Sequence, residues 1–191
     1  MFPANKLAAS GGEIHCHLFE NPRTGLARNM YWSITIDFQS IEYEGEDWQC
    51  SMTCEWLTWP LRDWRELGGQ SLDLSYGDGG SESSFYMWQH DSGKSTRLHI
   101  GSRTGNTFDV TMQMVVDFAG YRGPDRNPAM LVRGRATVPY TGVIVVPENL
   151  SPQPNTAVEV SHAVATYLDT TLLKAPERRD HAFWMEPLAG I

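Results

Sequence analysis

Apolar residues at every second position recur along this chain and restrict its fold class more than any other feature. Over residues 48–56, Trp48, Cys50, Met52, Cys54 and Trp56 alternate with Gln49, Ser51, Thr53 and Glu55. Phe108, Val110, Met112, Met114, Val116 and Phe118 alternate with Asp109, Thr111, Gln113 and Asp117 in the longest such run. Trp32, Ile34, Ile36 and Phe38 do the same against Ser33, Thr35, Asp37 and Gln39. Successive side chains of an extended strand point to opposite faces, so this pattern predicts strands with one face in a core and the other towards solvent. After Ser40 the apolar set moves to Ile41 and Tyr43, a change of phase that predicts a bulge or bend.

Residues 14–19, 72–76, 85–89, 96–101, 130–140 and 142–146 read as further, shorter strands. Turn chemistry punctuates them at 91–94, 104–106 and 123–125, where Gly, Asp, Asn, Ser and Pro cluster. About eight to ten strands at such close spacing predict a mainly β fold, an antiparallel β-sandwich or open barrel. Leu61, Trp64 and Leu67, spaced three apart ahead of Gly68-Gly69, predict one short helical turn within the series. One α-helix is expected over about 156–169, packed on the β structure. Thr156 and Glu159 fit a capping box at its start, and Val160, Val164, Tyr167 and Leu168 form an apolar stripe. The domain organisation that follows is a flexible N-terminal arm, 1–12, and a single β-rich domain, 13–191. Within that domain strands occupy 13–146, a Pro-rich linker 147–155 precedes the helix, and a tail covers 170–191.

Charge and cysteine content narrow the function classes. Fifteen Lys and Arg against 23 Asp and Glu give a net charge of −8, which opposes general affinity for nucleic acid or anionic membranes. The apolar run 143–146 is far short of the roughly 20 residues that span a bilayer, and the N-terminal stretch lacks the apolar core of a secretory signal. Three cysteines, an odd number without framework spacing, fit a reducing compartment, so a cytoplasmic location is expected.

Motifs associated with chemistry are incomplete. Gly93-Lys94-Ser95 has the ending of a phosphate-binding loop, but Trp88 stands where its first glycine belongs, and a hairpin turn is the expectation. In Gly101-Ser102-Arg103-Thr104-Gly105 the serine sits one place too early for a nucleophile elbow. The glycine-rich stretch 76–84 reads as an exposed loop whose Asp78 and Glu82 are too few carboxylates for calcium. His15 and His17 share one face of a strand roughly 7 Å apart, which makes them weak two-ligand metal candidates. Cys50 and Cys54 would be about 13 Å apart on a strand, too far for one zinc ion, so both read as core thiols. No catalytic residue and no cofactor is assigned.

Two surface features remain. Glu42, Glu44, Glu46 and Asp47 place four acids on one turn, a concentration of charge that steers basic partners. Trp59 and Trp64 lie outside the alternation beside Arg62, and Trp and Arg are the residue types that dominate binding hot spots. Together they lead to the expectation of a non-enzymatic acidic protein that binds a basic protein partner, in the manner of a bacterial toxin-neutralising immunity protein. The alternative is a β-sandwich that binds carbohydrate or another small ligand through exposed Trp rings.

Overall fold

The computed structural model describes residues 2–76, 80–117 and 129–190. Its strands are β1 (Ala9–Asn21), β2 (Leu26–Phe38), β3 (Ile41–Tyr43), β4 (Glu46–Trp48), β5 (Ser51–Leu57), β6 (Ser71–Ser75), β7 (Glu82–Tyr86), β8 (His90–Thr104), β9 (Thr107–Val116), β10 (Met130–Val145), β11 (Glu177–Arg179) and β12 (Ala182–Met185). Among the described residues one α-helix, α1 (Ala157–Ala165), follows β10. The architecture is mainly β with one helix near the C-terminus, as the alternation predicts. Phe118, Asp78 and the turn expected at 123–125 fall outside the described residues.

Ten strands form one large sheet in which neighbours run in the order β1-β2-β5-β7-β8-β9-β10-β12-β11, with β6 also paired to β8. A further, parallel pairing of β1 with β10 joins two members of that path, so seven strands close into a ring. Closure removes the exposed edges that an open sheet would offer to other chains. Opposite sides of the ring meet in the interior. Cys54 of β5 lies 3.8 Å from the Met112 sulfur of β9. A Cβ on Gly134 of β10 would come within 2.8 Å of Met52 and 3.0 Å of Ile36, so this position admits only glycine at the present spacing. The inward set contains Ile14, Cys16 and Leu18 of β1 together with Trp32, Ile34, Ile36, Phe38, Cys50, Met52, Cys54, Phe108, Val110, Met112, Met114 and Val116 from the three alternating runs.

Several local expectations change. The run 48–56 is split between β4 and β5, and its last member leaves the apolar face. Trp56 has φ of +59° and lies where the β2–β5 register shifts between Trp32 and Ile34. A bulge there adds a residue to β5, so Leu57 takes the inward place and Trp56 turns outward. Residues 91–94 are not a turn but lie inside β8, and the chain reverses at 87–89 instead. Residues 130–140 and 142–146, expected as two strands, form the continuous β10. At the N-terminus Phe2 is buried and Ala9–Gly12 already belong to β1.

The capping box of α1 is present as predicted: the Glu159 amide donates to the Thr156 hydroxyl, and Glu159 accepts from the Thr156 amide. Val160, Val164 and Leu168 are buried. The predicted turn before Gly68 is a 3₁₀ helix, Trp64–Leu67, begun by Asp63, whose carboxylate accepts from the Arg65 amide. No described helix is long and apolar enough to cross a membrane.

Candidate functional site

The acidic segment folds into a hairpin of its own. Ile41, Glu42 and Tyr43 of β3 pair with Trp48, Asp47 and Glu46 of β4 in a separate two-stranded sheet. Glu44 and Gly45 link them, both with positive φ, at 57° and 84°. Two such residues make the type I′ turn, whose twist matches that of the flanking strands. Ile41 is buried, and the Trp48 indole N–H donates to the Tyr43 carbonyl at 3.2 Å. The Tyr43 ring meets Phe2 edge to face at 5.6 Å, and Phe2 meets Phe85 of β7 at 5.7 Å. The hairpin is therefore seated on an aromatic base while Glu42, Glu44, Glu46 and Asp47 are all exposed.

One pairing in this hairpin works against folding. Glu42 and Asp47 are direct cross-strand partners, and like charges directly opposite each other destabilise a β pair. Trp88, at the reversal between β7 and β8, meets the hairpin at Trp48, on the face that alternates with that of Glu42 and Asp47. Buried Met87 anchors that reversal, whereas Trp88 is 62% exposed and packs edge to face on Trp48 at 5.7 Å. Tyr86, 40% exposed, extends the aromatic surface. An exposed indole seated on the hairpin that carries four carboxylates combines an apolar anchor with nearby charge.

The other predicted contact residues lie elsewhere: Trp64 and Trp59 serve the core, and Arg62 is exposed at the end of α1. Trp64 is fully buried and stacks on Tyr140 of β10 at 5.0 Å, with Phe108 edge-on at 6.2 Å and the Arg103 guanidinium over its ring. Trp59 is half-buried against Trp32. Arg62 donates to the carbonyls of Thr166 and Ala165, completing the C-terminal end of α1. Trp88, which sequence reasoning placed in a strand, is the exposed ring instead. The adjacent apolar pair Met87-Trp88 was the available signal, because two neighbours cannot both face the core from a regular strand.

His15 and His17 lie on the outward face of β1. Their Nε2 atoms are 2.9 Å apart, and His15 Nδ1 is 3.3 Å from a Glu13 carboxylate oxygen without the alignment of a hydrogen bond. Contact with His15 lowers the Glu13 pKa, and burial pushes His17 down to about 4. Trp56 closes the outer side of this face, 4.9 Å from Phe19 and 5.7 Å from Tyr31 between ring centres. Among the described residues no group of three or more potential ligands gathers for a metal. Cys16, Cys50 and Cys54 are free and buried, and burial raises their pKa values to about 12, 11 and 12. Such thiols are poor nucleophiles.

A groove of about 600 Å³ opens where β6 and β7 diverge along β8. Glu55, Ser75, Tyr76, Glu82, Ser83 and His90 are among the residues that line it. No protein-family model, no curated protein and no solved structure gives a significant match to this chain.

Proposed function

We propose that this chain is a non-enzymatic binding protein that docks a basic protein partner on the β3–β4 hairpin and Trp88, with toxin neutralisation of the immunity type as the specific form of that activity. The observation that carries the reading is one exposed hairpin that holds the Glu42–Asp47 cross-strand pair and, through Trp48, the 62%-exposed Trp88. Repulsion between two opposed carboxylates is relieved when Lys or Arg side chains of a partner come between them. Trp88 supplies the apolar contact that electrostatics alone lacks. The rigid aromatic seat under the hairpin reduces the ordering cost of association.

A random-peptide display library panned against the intact chain tests this reading. Enriched peptides are expected to carry an excess of Lys and Arg, and to bind a Glu44→Lys/Glu46→Lys/Asp47→Lys variant at least tenfold more weakly. Peptides without cationic excess, or equal binding to the charge-reversed variant, would refute it.

The groove beside Tyr76 favours a second reading, a small polyhydroxylated ligand such as a sugar. Its volume lies in the range of small-molecule sites, and it combines hydroxyls, carboxylates and an aromatic ring 75% exposed. Calorimetric titration with a panel of mono- and oligosaccharides decides it: heat that disappears in Glu82→Ala supports the reading, and no heat at millimolar sugar ends it.

A further inference from the structure

The Glu13, His15, His17 row carries an inference independent of the docking surface. Residues two apart on a strand share a face, and β1 turns both imidazoles outward while Ile14, Cys16 and Leu18 fill the core. The rings meet at 88°, with their Nε2 atoms 2.9 Å apart. Two metal–nitrogen bonds of about 2.05 Å at a right angle place their nitrogens about 2.9 Å apart. The observed separation is that of a ring-to-ring hydrogen bond, and it is also the spacing of two imidazoles on adjacent positions of one ion.

The surroundings of the pair match what a metal-bound histidine needs. A ligating His usually turns its second ring nitrogen to a carboxylate, which fixes the tautomer and makes the ligating nitrogen more basic. Glu13 lies on that side of the ring, 3.3 Å from His15 Nδ1 though not aligned as a hydrogen bond, and the Thr141 hydroxyl donates to its other oxygen at 3.4 Å. With the His15 proton at Nδ1, facing Glu13, its Nε2 lone pair accepts from His17 Nε2–H. Metal entry moves that His17 proton to its own Nδ1 and leaves both Nε2 lone pairs for the ion. His15 and His17 are each partly exposed, with Trp56 bordering the face from which an ion would enter.

We propose that His15 and His17 chelate one borderline divalent transition-metal ion through their Nε2 atoms, with Glu13 as the positioning carboxylate behind His15 and water completing the coordination. Imidazole donors favour copper(II), nickel and zinc over magnesium and calcium, and copper(II) binds tightest in the divalent series.

The probe is copper(II) added to the full chain without an affinity tag, near pH 7.5. Calorimetry is expected to show one ion per chain, and electron paramagnetic resonance to show two imidazole nitrogens in the equatorial plane. His15→Ala and His17→Ala should each weaken binding at least tenfold and leave one of those nitrogens. Glu13→Gln should weaken it about tenfold with both nitrogens retained. Thermal melts of the metal-free variants confirm that each is folded, and Glu13→Gln replaces only one atom if either alanine variant is not. A His15→Ala/His17→Ala variant that binds copper(II) as tightly as the unaltered chain, or a signal with no imidazole nitrogens, would overturn the proposal.

Discussion

Gly142 is a position at which the packing of the β12 segment against β10 depends on a single missing side chain. It lies on β10 opposite His15 of β1, just after a bulge at Thr141, and its φ is +123°. A Cβ added there would sit 2.2 Å from the Met185 carbonyl oxygen and 3.0 Å from Glu186 Cα, both backbone atoms of the adjoining segment. Neither atom can rotate away as a side-chain terminus would. In Gly142→Ala the unfavourable φ costs about 1–3 kcal/mol. Displacing the β12 segment adds a packing cost of about 1–3 kcal/mol. The total, about 2–6 kcal/mol, is a large part of the roughly 5–15 kcal/mol that holds a typical domain. Gly105→Ala is the control. Gly105 also has positive φ, at 59°, but a Cβ there meets nothing within 4 Å. Its substitution should cost only the backbone component, about 1–2 kcal/mol. In urea unfolding followed by Trp fluorescence, with a slope of roughly 2–3 kcal/mol/M, Gly142→Ala should lower the midpoint by about 0.7–3 M. Gly105→Ala should lower it by about 0.5 M. Equal shifts in the two variants would refute the close approach of β12 to β10.

Other perturbations separate core from surface. Trp64→Ala should cost about 3–5 kcal/mol in the same urea assay, as for other large buried rings, whereas Trp88→Ala should cost no more than about 1.5 kcal/mol, its contact with Trp48. Asp91, 7% exposed, has one carboxylate oxygen without a partner, and burial raises its pKa. A carboxyl whose folded pKa is raised supports the fold when protonated and loses that support as pH rises through the folded value. Asp91→Asn should therefore raise the Tm at pH 7, by an amount that shrinks as pH falls towards the ordinary carboxyl value near 4; a constant difference would contradict burial as the cause. Native protein should leave Cys16 and Cys54 unreacted with a thiol reagent at pH 8, where unfolded protein exposes all three thiols; rapid labelling of the native chain would contradict their burial.

How much of this could be read in advance depended on whether the information was local. Alternation assigned Ile34, Met52, Cys54 and Met112 to the interior, because strand period and burial are consequences of the same backbone geometry. The Thr156 and Glu159 capping box was equally legible, being complete within four residues. Trp56 was misread because one extra residue in β5 reverses the facing of everything after it. The apolar neighbours Trp56-Leu57 were the trace of that bulge. Trp64 resembled a surface hot spot in sequence because its burial comes from Tyr140 and Phe108, far away along the chain. The β1–β10 pairing that closes the ring leaves no local signature, since parallel partners 126 residues apart, such as Cys16 and the Gly142 carbonyl it contacts, share no turn. Within the candidate site the four acids were evident, but the ring beside them was not. Trp88 became its partner only through the reversal at 87–89.

The central claim is that the acidic hairpin and Trp88 form one docking surface. Its most direct test is amide chemical-shift mapping on the isotopically labelled chain, titrated at low and physiological salt with a Lys/Arg-rich peptide selected against it. Perturbations confined to 42–48 and 86–90, with affinity that falls as salt rises, are the predicted result. Perturbations centred on the Tyr76 groove or on the His15 face, or affinity independent of salt, would contradict it.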